Sequence, residues 1–286
     1  MQRKAPYLLA LIFAPMVLSG CHSRQPYVTD SRLAQGLVLV YTGIEGRSLL
    51  NEDICKGLAE GGVPYAIELT DWTVGVPGAY LLSLRAQTRN RQKAGEIAER
   101  IVQYQTSCPG RPVVLVGHSG GAAMAVWTAE MMRFEQQVDG IILLAAALSP
   151  GYKLDVSLQR SRRGVVSFHS QDDRWFLGMG TTISGTMDGE HSSSAGRVGF
   201  AAPNAASVPA GYVKLYQVPW QWQMGQAGHW GGHISTSARG FIREFVAPLV
   251  TMPEWNGAAV GRVITGEPAR PAARSRRPVQ GAYGRF

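Results

Sequence analysis

Pro112-Val113-Val114-Leu115-Val116-Gly117-His118-Ser119-Gly120-Gly121 reads as an apolar strand that breaks into glycine, and Ala122 to Phe134 after it reads as a helix. The strand has no polar alternation, which suits a strand buried on both faces, the habit of parallel sheets. Residues 117–121 form the pattern G-x-S-x-G. The pattern is short, and its context gives it meaning: strand before, helix after. So tight a turn forces its middle residue into a strained backbone conformation. Gly117 and Gly121 carry no Cβ, so strand and helix can approach closely. The Ser119 hydroxyl is then lifted above the sheet. The helix that starts at Gly120 aims its N-terminal N–H groups at the same spot, which favours a developing anion.

On either side of this turn the same alternation repeats. Leu37–Tyr41 is a β-rich apolar run ending in Thr42-Gly43, and Leu49–Glu60 is a helix closed by Gly61-Gly62. Pro64–Leu69 is a strand. Asn90–Thr106 is a helix with Ala94, Ile97, Ile101 and Tyr104 three or four apart, stopped by Pro109-Gly110. Val138–Ala147, Val165–His169 and Tyr212–Val218 are further strands, and Thr236–Val246 is the last helix. Strands alternating with helices predict an α/β protein, a mostly parallel sheet with helices on both faces. Ligands in such sheets bind beyond the carboxyl ends of the strands. The segments after each strand are therefore where chemistry is expected.

From Leu37 to Val250 the chain resembles the α/β-hydrolase superfamily, on the elbow Gly117-His118-Ser119-Gly120-Gly121 and the strand–helix order around it. The resemblance implies that Ser119 is the nucleophile and that its partners follow in the order acid, then histidine. The acid is expected after the strand Val165–His169, in Ser170-Gln171-Asp172-Asp173. Asp173 is the first choice, with Asp172 and Asp188 as alternatives. The histidine is expected in Gly228-His229-Trp230-Gly231-Gly232-His233. His233, nearer the following helix, is favoured over His229. The acid would hold the imidazole tautomer, and the histidine would act as general base and then general acid. The oxyanion hole would use the amides of Gly120 and of Ile44, in Thr42-Gly43-Ile44-Glu45-Gly46. That loop departs from the His-Gly start common in the family. The short connection between the fourth and fifth strands leaves no room for a large cap domain. Trp175–Pro209 reads as a long Gly- and Ser-rich segment, either a flap over the site or a surface insertion. Trp72, after the second strand, is a candidate pocket wall or a core residue.

Other chemistries find less support. His229 and His233 have a metal spacing for a helix, but Gly231-Gly232 oppose a helix and no third ligand presents itself, so no metal is expected. His118 lies inside the elbow, where the family tolerates several residue types. His169 ends a strand and suits packing, and His191 sits in a polar loop. No dinucleotide or P-loop fingerprint occurs, so no cofactor is expected. The formal net charge is +8 over 286 residues. Most of it sits at the ends, on Arg3 and Lys4 and on the arginines after Val250. The body is nearly neutral, which does not fit nucleic-acid binding.

Residues 1–21, MQRKAPYLLALIFAPMVLSGC, have a basic start, a short apolar run and then Leu18-Ser19-Gly20-Cys21. These residues resemble the lipobox of bacterial lipoproteins. The resemblance implies a signal peptide over 1–20, cleavage before Cys21, acylation of Cys21, and export to the cell envelope with the outer membrane favoured. Residues 21–36 then read as a linker, 37–250 as the hydrolase domain, and 251–286 as a basic Pro/Arg/Gly-rich disordered tail. Cys55 and Cys108 would enter an oxidising compartment, where they could pair or remain buried thiols. The expectation is an exported, lipid-anchored serine hydrolase acting on a small-molecule or lipid acyl ester. A thioester, amide or acyl-transfer reaction would use the same residues. The reading from another class is a non-catalytic envelope binding or scaffold protein on the same fold.

Overall fold

The computed structural model describes residues 25–75, 80–173, 176–177, 181–182, 186–201 and 209–266. Six parallel strands form one open sheet: β1 (Leu37–Tyr41), β2 (Ala66–Thr70), β3 (Val113–His118), β4 (Gly140–Leu144), β5 (Val165–His169) and, after the short hairpin β6 (Phe176–Leu177) and β7 (Thr181–Thr182), β8 (Leu215–Pro219). Their spatial order is β2-β1-β3-β4-β5-β8. The register sets Tyr41 level with both Thr70 and Gly117, so neighbouring strands end together at one edge of the sheet.

Alternating side chains feed two apolar layers, as the two-residue period of a strand requires. Leu37, Leu39, Leu115, Ile141 and Leu143 pack against α4 (Gln87–Ser107) and α5 (Gly120–Glu130). Val38, Val40, Val114, Val116 and Ile142 pack on the other face against α2 (Leu49–Glu60) and the C-terminal helices. Helix α5 is buried from Gly120 through Ala129. Burial on all sides explains why its residues show no amphipathic stripe. The small helices α1 (Asp30–Leu33), α3 (Tyr80–Arg85), α6 (Asp155–Gln159), α7 (Ala195–Val198) and α8 (Trp222–Gln226) fill the connections.

The sequence-based boundaries need several corrections. Helix α5 ends at Glu130 rather than at Phe134. The fourth strand is only Gly140–Leu144. Residues Ala210–Lys214 form a 3-10 turn before β8. The last predicted helix is a 3-10 turn (Ile234–Ser237) followed by α9 (Arg239–Phe241), a π turn (Ile242–Val246) and α10 (Ala247–Thr251). Cys55 and Cys108 are both free.

The expected linker and tail also change. Within 21–36, Arg32 donates to the carbonyls of Val63 (3.0 Å) and Tyr65 (2.7 Å). Gln25 exchanges side-chain hydrogen bonds with both main-chain groups of Leu69, at 2.5 and 3.1 Å. Ile67 N donates to Tyr27 O at 3.1 Å. This segment therefore lines the free edge of β2 rather than hanging from the domain. The order expected to end at residue 250 continues through α11 (Gly257–Thr265), which carries an Asn256 cap on Ala259 N at 2.9 Å and a left-handed Gly266 at its end. Trp255, Val260 and Ile264 are buried in the apolar layer that contains Val38, Val40 and Ile142, with Trp255 over Gly140 of β4, and that apolar area is what orders the segment. Residues 1–24 and 267–286, with the expected signal peptide and Cys21, lie outside the described residues. No helix among the described residues is long and apolar enough to cross a membrane.

Candidate active site

Ser119 has φ 57° and ψ −120°, a conformation that costs an ordinary residue of order 1–3 kcal/mol. The surroundings hold it there. Its amide donates to Leu144 O (2.9 Å) at the end of β4, and its carbonyl accepts from Ala147 N (3.1 Å). A Cβ at Gly117 would lie 2.4 Å from Gly121 O, and one at Gly121 would lie 2.4 Å from Tyr41 O and Thr42 O. Glycine is required at both places because strand, turn and helix touch through their backbones. A strained serine between β3 and α5, at the carboxyl edge of a sheet in this order, decides the architecture. The fold is that of the α/β hydrolases.

The expected acid and base come from two distant segments. After β5, Asp173 N closes a tight turn on Ser170 O at 2.9 Å. The turn points the buried Asp173 carboxylate at His233, whose Nδ1 lies 2.7 Å from Oδ1. A carboxylate only accepts, so Nδ1 carries the proton and Nε2 is the basic nitrogen. The neighbouring choices do other work. Asp172 is exposed. Asp188 accepts from the amide (2.9 Å) and hydroxyl (2.5 Å) of Ser149, holding a loop after β4. His229 has Nδ1 2.9 Å from Ser235 Oγ, and its ring centroid lies 4.7 Å from that of Phe241. Burial pushes its pKa down to about 4. It fastens the loop that carries His233.

His118 has a part that sequence reasoning missed. Its Nε2 lies 3.2 Å from His233 O, and the two rings are 5.1 Å apart between centroids. A carbonyl accepts, so Nε2 is the protonated nitrogen of a neutral ring. Burial first, and the neighbouring His233 second, push its pKa down to about 4, with Glu45 pulling the other way. The residue before Ser119 thus grips the main chain of His233.

Ile44 and Gly120 also meet: a Cβ on Gly120 would lie 2.6 Å from Ile44 Cγ2, 3.2 Å from the Trp72 indole and 3.4 Å from Met187 Sδ. Trp72 is fully buried and donates Nε1 to Thr42 O at 2.7 Å, so the candidate pocket wall braces the loop after β1. Asn51 of α2 holds the same loop by donating to Gly46 O and Glu45 Oε1, both at 2.9 Å. Met187 comes from the 175–209 segment, whose described part is not a loose insertion. Met187 N donates to Ala147 O (2.8 Å) and Gly196 N to Ala146 O (2.9 Å). No periodic pattern in that segment signals this packing. Among the described residues, no group of three or more His, Cys, Asp or Glu side chains could hold a metal ion.

No family model and no curated protein matches the chain. Solved structures that resemble it include Aspergillus fumigatus lipase B, at 11% identity over 80% of this chain and 56% of that one, with TM-score 0.44. A poly(3-hydroxybutyrate) depolymerase from Bordetella parapertussis matches at 13% identity over 80% and 83%, with TM-score 0.44. A cutinase-like protein from Cryptococcus sp. matches at 16% identity over 76% and 93%, with TM-score 0.37. The chain spans little more than half of the lipase.

Proposed function

We propose that the protein is a serine hydrolase acting on a carboxylic ester. Ser119 Oγ attacks the acyl carbonyl while His233 Nε2 takes its proton. The amides of Gly120 and Ile44 hold the resulting oxyanion. The tetrahedral adduct collapses to an acyl-enzyme as the imidazolium gives its proton to the leaving alkoxide. Water, deprotonated by His233, then releases the carboxylic acid and restores Ser119. Asp173 keeps Nδ1–H in place and offsets the charge of the imidazolium. The observation that carries this reading is the buried 2.7 Å contact between His233 and Asp173, together with a serine held at positive φ. A binding protein gains nothing from that strain.

The substrate class rests on the fold and is the default for it; a thioester or amide would follow the same steps. Export and acylation at Cys21 rest on the Leu18-Ser19-Gly20-Cys21 pattern. Intact mass of the membrane-extracted protein tests them: the chain is expected to begin at Cys21 with added acyl mass.

Labelling with a fluorophosphonate probe tests the chemistry. The wild-type chain is expected to label, and Ser119→Ala and His233→Ala are expected not to, while His229→Ala labels if it folds. A folded wild-type protein that does not label would leave the scaffold reading in its place.

A further inference from the structure

Gln25, the first described residue, is held near the catalytic edge of the sheet. Its side chain binds both main-chain groups of Leu69, one residue from the end of β2. Two residues later, Tyr27 O accepts from Ile67 N. From Gln25 to Tyr27 the chain thus descends β2 away from its carboxyl end. Leu69 is level with Val40, and Val40 with Val116, three residues before Ser119. β2 is separated from β3 by β1 alone, which sets them about 10 Å apart. Cys21 is four residues before Gln25, so its contour reach from this point is at most about 14 Å. An acyl anchor there cannot be paid out to any distance, and the carboxyl edge of the sheet must stay close to the bilayer.

Several of the large exposed apolar side chains stand at that edge, while Met131, Phe134, Val156 and Val213 stand elsewhere. Leu49 opens the helix after β1 and is 74% exposed; Trp222, after β8, is 63% exposed; Trp230 and Ile234, flanking His233 in its loop, are 74% and 55% exposed. Leu82, on α3 after β2, is exposed as well. Indole and aliphatic groups are the side chains that the headgroup–acyl boundary takes up. Phe134 and Val213 are also exposed, but they lie at the far ends, one after α5 and one before β8.

We propose that the face carrying Ser119 and His233 lies against the phospholipid surface to which Cys21 is anchored, with Trp222, Trp230 and Ile234 at the lipid boundary. The proposal rests on the acylation reading above and deepens the substrate class: the ester is carried by that membrane rather than taken from bulk water. Two constraints meet in it, a tether too short to let the domain turn over and an apolar rim at the end where the tether arrives.

The test uses the full acylated chain carrying Ser119→Ala, reconstituted in phosphatidylethanolamine/phosphatidylglycerol vesicles with brominated acyl chains. Turnover plays no part, so the outcome is independent of whether the protein is a hydrolase. Bromolipid quenching of tryptophan emission is expected to fall at least twofold when Trp222→Ser and Trp230→Ser are added, with the melting temperature unchanged. Adding Val213→Trp, at the opposite end, is expected to contribute no quenched emission. Inserting 20 Gly/Ser residues between Ser23 and Arg24, with an r.m.s. reach of about 25 Å, is expected to reduce the quenching without releasing the protein. Quenching equal with and without Trp222 and Trp230, or strong quenching of a tryptophan at 213, would overturn the proposal. So would a chain that carries no acyl group and leaves the vesicles.

Discussion

His118 Nε2 lies 3.2 Å from the main-chain carbonyl of His233, so the residue before Ser119 and the proposed general base are joined directly. The bond crosses from the β3–α5 turn to the loop before α9. It fixes the distance between two groups that arrive from segments 115 residues apart. Replacing His118 with alanine is expected to lower kcat/KM by about 10²-fold, the cost of a misplacement near 1 Å. His118→Gln, which keeps a donor, is expected to recover much of that loss. The same pair of variants compared by fluorophosphonate labelling rate checks it, since a purely structural role would leave both rates near wild type in the surviving folded fraction.

Asp173→Asn removes the acceptor charge and lets the amide donate to Nδ1, favouring the wrong imidazole tautomer. A fall in kcat of up to about 10⁴-fold is expected, with the fold intact. Asp172→Asn, one residue earlier and exposed, is expected to stay within twofold of wild type. Steady-state kinetics on a p-nitrophenyl ester separates the two.

Acid should unfold the protein through its histidines. His229 titrates at 6.5 when unfolded and at about 4 when folded, so between those values the unfolded chain binds the extra proton. Stability is therefore full above pH 6.5 and declines as the pH falls towards 4. His229 alone accounts for roughly 3 kcal/mol of that decline. The His118 pKa, also pushed down to about 4, works in the same sense. Urea denaturation at pH 7 and pH 5 measures it, and the slope is expected to flatten in His229→Gln.

Gly121→Ala is expected to cost more than about 2 kcal/mol, because its Cβ would meet backbone oxygens that cannot rotate away. Gly110→Ala meets nothing within 4 Å but sits at φ 74°, so its smaller penalty is backbone strain alone. Thermal melts of the two variants rank these costs.

Trp255 covers Gly140 on β4, stacks under the Arg163 guanidinium at 4.8 Å and donates Nε1 to Leu249 O at 3.0 Å. Trp255→Ala is expected to destabilise the domain by about 3–5 kcal/mol. Truncation after Pro253 should cost at least as much.

Much of the architecture was legible because β1, β3 and β4 are short apolar blocks and a helix follows each strand from β1 to β4. The tight turn at Ser119 was legible from the G-x-S-x-G pattern, and the segments that bring Asp173 and His233 together from their places after β5 and β8. What escaped had no local signal. The choice of His233 over His229 depends on which ring the Asp173 turn faces. Met187 reaches the elbow from a segment without periodicity. Trp255 and α11 were hidden because the glycines, alanines and arginines after Pro253 mask three well-spaced apolar residues. His118 looked replaceable because its partner is a main-chain carbonyl far along the sequence.

The contacts of Gln25 and Tyr27 with β2 have a second consequence. In a parallel sheet the outermost strand leaves alternate amides and carbonyls open, and such a rim recruits strands from other molecules. Here Ile67 N, Leu69 N and Leu69 O are already satisfied from within the chain. The short stretch from Gln25 to Tyr27 therefore also shields this edge of the sheet from intermolecular strand addition and the aggregation that follows.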